Sequence, residues 1–210
     1  MNLTICVLTF MIMAANGLAQ TRPSIDALYD RLVQPSETNA AAPEIVKMAS
    51  NDSGALNYLA GKLPMLISSN RPTSDPVWAN AVRLAGQLKI VAAVPALGQA
   101  LSRPAVLGGY DSEATGAYTF TIGARLVYDV VGRALADIGD PSIPVVANLL
   151  SSGDIAARRR AFWILVNIDS PAALQAMRDH LPRESDSTIK DAIQHHLGSK
   201  VNRPAPGTNP

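Results

Sequence analysis

The sequence has 210 residues, a net charge of +1 and only 17% charged residues. Such an even charge balance argues against a nucleic-acid-binding protein and against a protein that binds membranes through a polybasic segment. Aromatic residues make up 5% of the chain, whereas alanine, leucine and valine are abundant, which is typical of tightly packed helices.

The chain begins with an uncharged apolar run, LTICVLTFMIMAA at residues 3–15, followed by Gly17 and Ala19. A signal peptidase recognises small residues at this spacing, so we predict a signal peptide at residues 1–19. The alternative is an uncleaved membrane anchor, but a membrane span needs about 20 apolar residues and this run is shorter. We therefore expect a secreted or periplasmic protein without a stable membrane span after cleavage. The only cysteine, Cys6, would be removed with the signal peptide, leaving stability to core packing.

Residues 20–74 are predicted to form an N-terminal helical cap or a degenerate repeat. Their pattern of apolar residues and breakers predicts three helices, at residues 24–33, from Pro43 to about Ala49, and at residues 55–68. Ser24 would cap the first helix, residues 34–42 would form a loop, and Pro64 would kink or end the third helix.

Three later segments share one pattern, at residues 81–101, 131–150 and 161–181. Each has an apolar helix ending near Leu88, Ile138 or Ile168, then a short link and a second apolar helix. The last two copies are 30 residues apart, and the first two are 50 apart, which is one period plus about twenty inserted residues. A period near 30 built from two helices indicates an α-solenoid.

Prolines mark the boundaries between these helices. Asp75-Pro76, Asp140-Pro141 and Ser170-Pro171 each place a capping side chain before a proline at the first helical position, where its missing N–H costs nothing. Pro144 would then be the fourth residue of a helix that starts at Pro141, and Pro95 holds the matching place one copy earlier.

The motifs Val94-Pro95-Ala96-Leu97 and Gly139-Asp140-Pro141 resemble those of the HEAT-repeat family, in particular its short repeats named after phycobilisome lyases. The resemblance covers roughly residues 75–181 and implies an all-α fold, an α-α superhelix or HEAT-like solenoid. We therefore predict HEAT-like repeats at residues 75–197, with the insert at residues 102–123. It implies little about function, since such repeats bind many partners. Some HEAT-repeat enzymes bind iron through His-Glu pairs, but this sequence has no His-Glu dipeptide.

The C-terminal part is predicted to contain a helix at residues 154–168, capped by Asp154, and a last helix at residues 186–197, capped by Asp186 or Ser187. Three consecutive arginines, Arg158 to Arg160, would spread around the first of these helices and could not form one patch. Residues 198–210, rich in proline and glycine, are predicted to be disordered.

The insert at residues 102–123 alternates apolar and polar residues at Tyr118, Phe120 and Ile122, which is strand periodicity. We predict a small β-hairpin at about residues 104–122. One interpretation packs its apolar side against neighbouring helices, and the other makes it a recognition element, since inserted loops of solenoids often lie on the binding face. The residues predicted to bind the partner are Tyr110, Tyr118, Phe120, Arg125 and Arg133.

No catalytic, cofactor-binding or metal-binding set was found in the sequence. His180, His195 and His196 are interpreted as surface residues, and Ser187 with Lys190 as a chance match to a Ser-x-x-Lys motif that lacks its partners. Trp78 and Trp163 are expected to pack between repeats.

The sequence therefore predicts an exported, non-enzymatic interaction module that binds a protein or peptide in the extracytoplasmic space, with no cofactor and no nucleic acid. Two alternatives stay open. One is a cofactor-handling or lyase-like accessory protein, against which export argues because that chemistry is expected inside the cell. The other is a permanent component of an envelope complex.

Overall fold

Helices make up most of the part of the chain that the computed structural model describes, residues 23–101 and 129–201. Ten α-helices lie in these residues: α1 Ile25–Leu32, α2 Thr38–Ala49, α3 Ser53–Ile67, α4 Pro76–Gln87, α5 Val94–Ala100, α6 Val130–Ile138, α7 Ile143–Leu150, α8 Ile155–Ile168, α9 Pro171–His180 and α10 Ser187–Val201. Single-turn 3-10 helices lie at Val91–Ala93, Asp140–Ser142 and Leu181–Arg183. The predicted β-hairpin and the predicted signal peptide lie outside the described residues.

The helices pair into hairpins that stack in two layers. The first layer runs α2, α4, α6, α8 and α10, with each helix packed on the next, and the second layer runs α3, α5, α7 and α9 in the same way. The helix α1 packs beside α2. The helices α2 and α3 stack on α4 and α5 in the same way as the later helices stack on one another. This order of contacts is that of an α-α superhelical solenoid, which confirms the predicted fold class.

Four helices begin at the capping side chains that the sequence indicates. Ser24 accepts a hydrogen bond from the Ala27 N–H at 3.2 Å, and Asp75 accepts one from the Val77 N–H at 2.8 Å. Asp154 and Ser170 cap α8 and α9 through the N–H groups of Ala156 and Ala173, respectively. Pro76 and Pro171 are the first residues of their helices, as predicted.

The prediction that Asp140 caps a helix starting at Pro141 is wrong. Residues Asp140–Ser142 form a single 3-10 turn, Asp140 makes no capping hydrogen bond, and α7 starts at Ile143. Pro144 lacks the N–H that would close an α-helical turn on the carbonyl of Asp140, so the chain tightens into the 3-10 turn. Pro95 does hold the matching place, as the second residue of α5 after the turn Val91–Ala93.

Pro43 lies inside a helix, whereas the sequence pattern predicts that a helix begins there. The helix α2 begins at Thr38 and runs through Pro43, so part of the predicted loop at residues 34–42 is helical. Thr38, Ala41, Ile45 and Ala49 form one buried stripe along α2. Their packing outweighs the single backbone hydrogen bond that Pro43 removes.

The two other differences in boundaries concern α3 and α10. The helix α3 starts at Ser53, capped by Asp52, and continues through Pro64 to Ile67. Asp186 accepts a hydrogen bond from the Ile189 N–H at 2.9 Å, and α10 then continues to Val201. The prediction of disorder is therefore wrong for residues 198–201, and residues 202–210 lie outside the described part.

Both tryptophans pack in the core, as predicted. Trp78 is 1% exposed, and its Nε1–H donates a hydrogen bond to the Ile67 carbonyl at 2.9 Å, tying α4 to the end of α3. Trp163 is buried in α8, with its ring centroid 5.3 Å from that of Phe162.

The backbones of neighbouring repeats approach each other closely at Gly86 in α4. A Cβ atom at this position would lie 2.7 Å from the Cα of Ala134 in α6, which is closer than real Cβ atoms come to other atoms. The two helices can therefore pack this closely only because residue 86 has no side chain. This contact joins the repeats that precede and follow the insert.

We predict that Gly86→Ala destabilises the protein by about 1–3 kcal/mol, because the added methyl group pushes α4 and α6 apart. The matched control is Gly61→Ala in α3, where nothing lies within 4 Å of the added Cβ. That change should stabilise the protein by up to about 1 kcal/mol, since alanine is the better helix former. Urea unfolding followed by circular dichroism compares the two, and equal effects would contradict the close contact.

Candidate functional site

Only one of the predicted partner-binding residues lies in the described part of the chain. Arg133 is exposed on α6, and its Nε donates a hydrogen bond to Asp137 at 2.9 Å. Tyr110, Tyr118, Phe120 and Arg125 lie outside the described residues. The binding role of all five residues therefore stays a prediction.

The two residues that flank positions 102–128 are held by one guanidinium group. Arg160 of α8 donates from Nε and Nη2 to the Asp129 carboxylate at 2.6 and 2.7 Å, and from Nη1 to the Leu101 carbonyl at 2.7 Å. Asp129 also caps α6 by accepting a hydrogen bond from the Gly132 N–H at 2.9 Å. Arg160 of α8 thus holds both Leu101, which follows the second-layer helix α5, and Asp129, which precedes the first-layer helix α6. No sequence signal links Arg160 to positions 31 and 59 residues away.

The three consecutive arginines of α8 point to three different acids. Arg158 pairs with Glu184, Arg159 lies 3.7 Å from Asp186, and Arg160 pairs with Asp129. The prediction that they form no single patch is confirmed. The sequence does not show that these arginines join neighbouring elements of the stack.

Glu184 is the centre of a buried polar cluster at the C-terminal end. Its carboxylate accepts hydrogen bonds from Nε and Nη2 of Arg158, both at 3.1 Å. It also accepts a hydrogen bond from the Asp186 N–H at 2.8 Å, and it lies 2.9 Å from His180 Nε2. Burial raises the pKa of Glu184, but the hydrogen bonds from Arg158 and His180 outweigh burial and hold the pKa at about 2. His180 is 6% exposed, so its interpretation as a surface residue is wrong.

Because the pKa of Glu184 is lower in the folded protein than its ordinary value of 4.5, the unfolded chain binds its proton more tightly. The stability that Glu184 contributes is therefore complete above about pH 4.5 and is lost as the pH falls toward 2.

We predict that Glu184→Gln costs about 3 to 5 kcal/mol at neutral pH, because Arg158 is left buried without its counter-charge. The same change at exposed Glu37, which pairs with Arg31, should shift the melting temperature little. Thermal melts from about pH 7 to 2 measure both effects.

His196 is buried between α10 and α8. Its ring stands edge-on to Phe162 with centroids 6.5 Å apart, and its Nε2 lies 3.6 Å from Asp169, which pairs with Lys200. Burial lowers the pKa of His196, the charge of Lys200 lowers it further, and Asp169 opposes both effects. His196 is 8% exposed, so its interpretation as a surface residue is wrong, whereas the neighbouring His195 is exposed as predicted.

A histidine whose pKa is lowered on folding makes the protein less stable in acid, because the unfolded chain takes up the proton first. We predict that the melting temperature falls as the pH drops below 6.5, the ordinary value of His196. His196→Gln should reduce this fall between about pH 7.5 and 5, above the range in which Glu184 acts. His195→Gln is the matched control. An unchanged pH dependence in His196→Gln would contradict the prediction.

No group of three or more histidine, cysteine, aspartate or glutamate side chains within residues 23–101 and 129–201 is placed to hold a metal ion. None of the helices in the same residues combines the length and apolar character that crossing a membrane requires.

The exposed side of the second layer carries little charge in α3, α5 and α7, in contrast to α9. Lys62 is the only charged residue in α3, α5 and α7, and the exposed Asp140 lies in the turn that precedes α7. The Nζ of Lys62 lies 5.6 Å from the centre of the Tyr58 ring, and this cation–π contact partly stabilises the charge. We name ten exposed residues of these helices and of the turn before α5 the neutral face: Asn57, Gly61, Lys62, Met65, Val91, Ala92, Pro95, Gln99, Pro144 and Asn148.

The neutral face displays apolar and amide groups at regular spacing. Its exposed residues recur every four positions along each helix, as in Val91, Pro95 and Gln99, so each helix presents one stripe. Met65 is 72% and Val91 53% exposed, and they are two of the three exposed large apolar residues in the described part. Because α5 packs between α3 and α7, the three stripes lie side by side.

The first layer differs in its outer surface, where Glu44, Lys47, Arg83 and Arg133 are exposed. The charges of the described chain thus lie mainly on the first layer and at the C-terminal end. The neutral face can bury apolar groups and form amide hydrogen bonds, but it offers no acid or base for chemistry apart from Lys62.

The sequence model of the HEAT-repeat family matches residues 125–198. These are HEAT repeats. The match covers α6 to α9 and most of α10. The hairpins α6–α7 and α8–α9 stack on the earlier pairs α2–α3 and α4–α5 in the same two layers. The finer likeness to phycobilisome-lyase repeats stays a prediction. A comparison with the curated proteins finds no match to this chain. HEAT repeats commonly mediate protein–protein interaction, which supports the predicted class of function.

Proposed function

We propose that this HEAT-repeat protein is an exported, non-enzymatic scaffold that binds a protein or peptide partner in the extracytoplasmic space. The observation that carries the proposal is the neutral face, a surface of three neighbouring helices that exposes Met65 and Val91 and has only one charge. Exposed apolar groups gathered on one side of a solenoid are typical of a binding surface. Export is supported by the apolar run at residues 3–15 followed by Gly17 and Ala19.

Two regions are proposed to contact the partner. One is the neutral face, and the other is the insert, with Tyr110, Tyr118, Phe120 and Arg125 and with Arg133 following it. Arg160 supports the second region, because it fixes the residues on both sides of positions 102–128. Within residues 23–101 and 129–201, no particular group of side chains supports a lyase-like or cofactor-handling role in this way. The proposed export would also remove the chain from the compartment where that chemistry is expected.

We predict that the full-length protein, tagged and expressed in its native host, captures a partner from the extracytoplasmic fraction. Deleting residues 104–122, or replacing Tyr110, Tyr118 and Phe120 with alanine, should abolish that capture and leave the melting curve nearly unchanged. The partner is identified by mass spectrometry and confirmed by the reciprocal capture.

The same preparation tests the other parts of the proposal. A collapse of the melting curve in the triple variant would show that the insert belongs to the core. Recovery of the protein from the cytosol with residues 1–19 intact would contradict export. Uptake of a metal or chromophore by the purified protein would favour the cofactor-handling role.

A further inference from the structure

One long link divides the described chain into two parts. Within residues 23–101 and within residues 129–201, consecutive helices are joined by at most eight residues, whereas positions 102–128 separate α5 from α6. The first part contains the hairpins α2–α3 and α4–α5, and the second contains α6–α7 and α8–α9. We call these parts the N-terminal half and the C-terminal half, and we call the contact of α4–α5 with α6–α7 the seam.

The most extensive contact between two helices of the described residues lies in the seam. It joins α4 to α6, and α5 packs on both α6 and α7. In the first layer, Gly86 allows α4 to approach the backbone of Ala134, which is 2% exposed. In the second layer, a Cβ atom at Gly98 would lie 2.5 Å from Cγ1 of Val145, so α5 and α7 also approach closely. A glycine therefore permits close packing in each layer of the seam.

A hydrogen bond from a charged group also crosses the seam. Arg160 of the C-terminal half donates from Nη1 to the Leu101 carbonyl of the N-terminal half at 2.7 Å. The Asp129 carboxylate, at 2.6 and 2.7 Å from two other nitrogens, orients the same guanidinium group from within the C-terminal half. Because the guanidinium is already oriented, little side-chain freedom is lost when the two halves meet.

The seam has to align the two halves without help from a short link. Tethering through a link as long as positions 102–128 supplies an effective concentration of no more than roughly a millimolar, and it does not set the register of α4 against α6. Each half has only two hairpins, whereas a solenoid needs about three or more repeats to be stable. Each half therefore depends on the seam for its own fold.

We propose that the seam is a self-sufficient interface, through which the two halves stay folded and associated when the chain is cut within positions 102–128. The partner that the seam surface of each half fits is the other half of the chain. A protease or a binding partner that acts on positions 102–128 can then cut or rearrange them without opening the stack. This inference goes beyond the scaffold function and does not depend on what the insert binds.

The test uses the full-length chain with the recognition site of a specific protease inserted between Gly108 and Gly109. Complete cleavage is verified on a denaturing gel. At ~1–10 µM, far below the effective concentration that the link supplied, the two fragments should elute together with the mass of one chain and keep its circular dichroism spectrum. The urea midpoint of the cut protein should rise with protein concentration, because unfolding now separates two chains, whereas that of the uncut protein should not.

Gly86→Ala should weaken the association of the cut halves by about tenfold or more, because the added methyl group pushes α4 away from α6. The cut variant should accordingly lose its helicity at a concentration higher by the same factor. The matched control is Gly61→Ala in α3, outside the seam, where nothing lies within 4 Å of the added Cβ. The control should not weaken the association. Circular dichroism of both uncut variants shows whether they are folded.

Three results would overturn the inference. Fragments that separate or unfold on cutting at these concentrations would show that the link holds the stack together. A urea midpoint of the cut protein that does not change with concentration would show that the halves do not depend on each other for folding. Equal loss of association in Gly86→Ala and Gly61→Ala would show that the packing of α4 on α6 does not join the halves.

Discussion

The stack depends on helices of neighbouring repeats approaching each other closely enough to share one apolar core. No single hairpin can bury its own apolar side, so each repeat is stable only through its neighbours. The contact of Gly86 with the backbone of Ala134 is one of these close approaches, and it lies where the insert interrupts the period. There the chain cannot rely on a short link to align α4 with α6. The bare backbone of Gly86 allows their packing, and Arg160 fixes both ends of the interruption.

Charge is distributed in this protein according to structural role. Arg158, Arg159 and Arg160 each join α8 to an acid on another segment, and so they strengthen the contacts between repeats. Where such pairs are buried, breaking one is costly, because the remaining charge has lost its hydration. The second layer has no such cross-links in α3, α5 and α7, whose contacts are mainly apolar. The outer side of these three helices carries Lys62 as its only charge and is suited to apolar partners.

The period of 30 residues and the caps at Asp75 and Ser170 were sufficient to predict the fold, because they depend on local sequence. The predictions failed where tertiary contacts determine the start of a helix or the burial of a side chain. The start of α2 at Thr38 is set by a buried stripe that outweighs Pro43. His180 and His196 look like surface residues in a polar sequence, but each is covered by elements that pack on it only in the folded stack. The neutral face was not predicted either, because the lack of charge becomes meaningful only once α3, α5 and α7 are known to be neighbours.

The solenoid also separates the groups that respond to pH from the neutral face. Glu184 and His196 lie around α8 to α10, and the neutral face lies on α3, α5 and α7. Each repeat contacts mainly its neighbours, so weakening the contact between α10 and α8 removes one interface at the end of the stack. The helices of the neutral face keep their contacts with one another, α3 keeps its contact with α4, and α7 keeps its contact with α8. Acid should therefore loosen the C-terminal end at a pH at which the neutral face is still formed. A more cooperative core, in which every helix contacted every other, would not allow this separation.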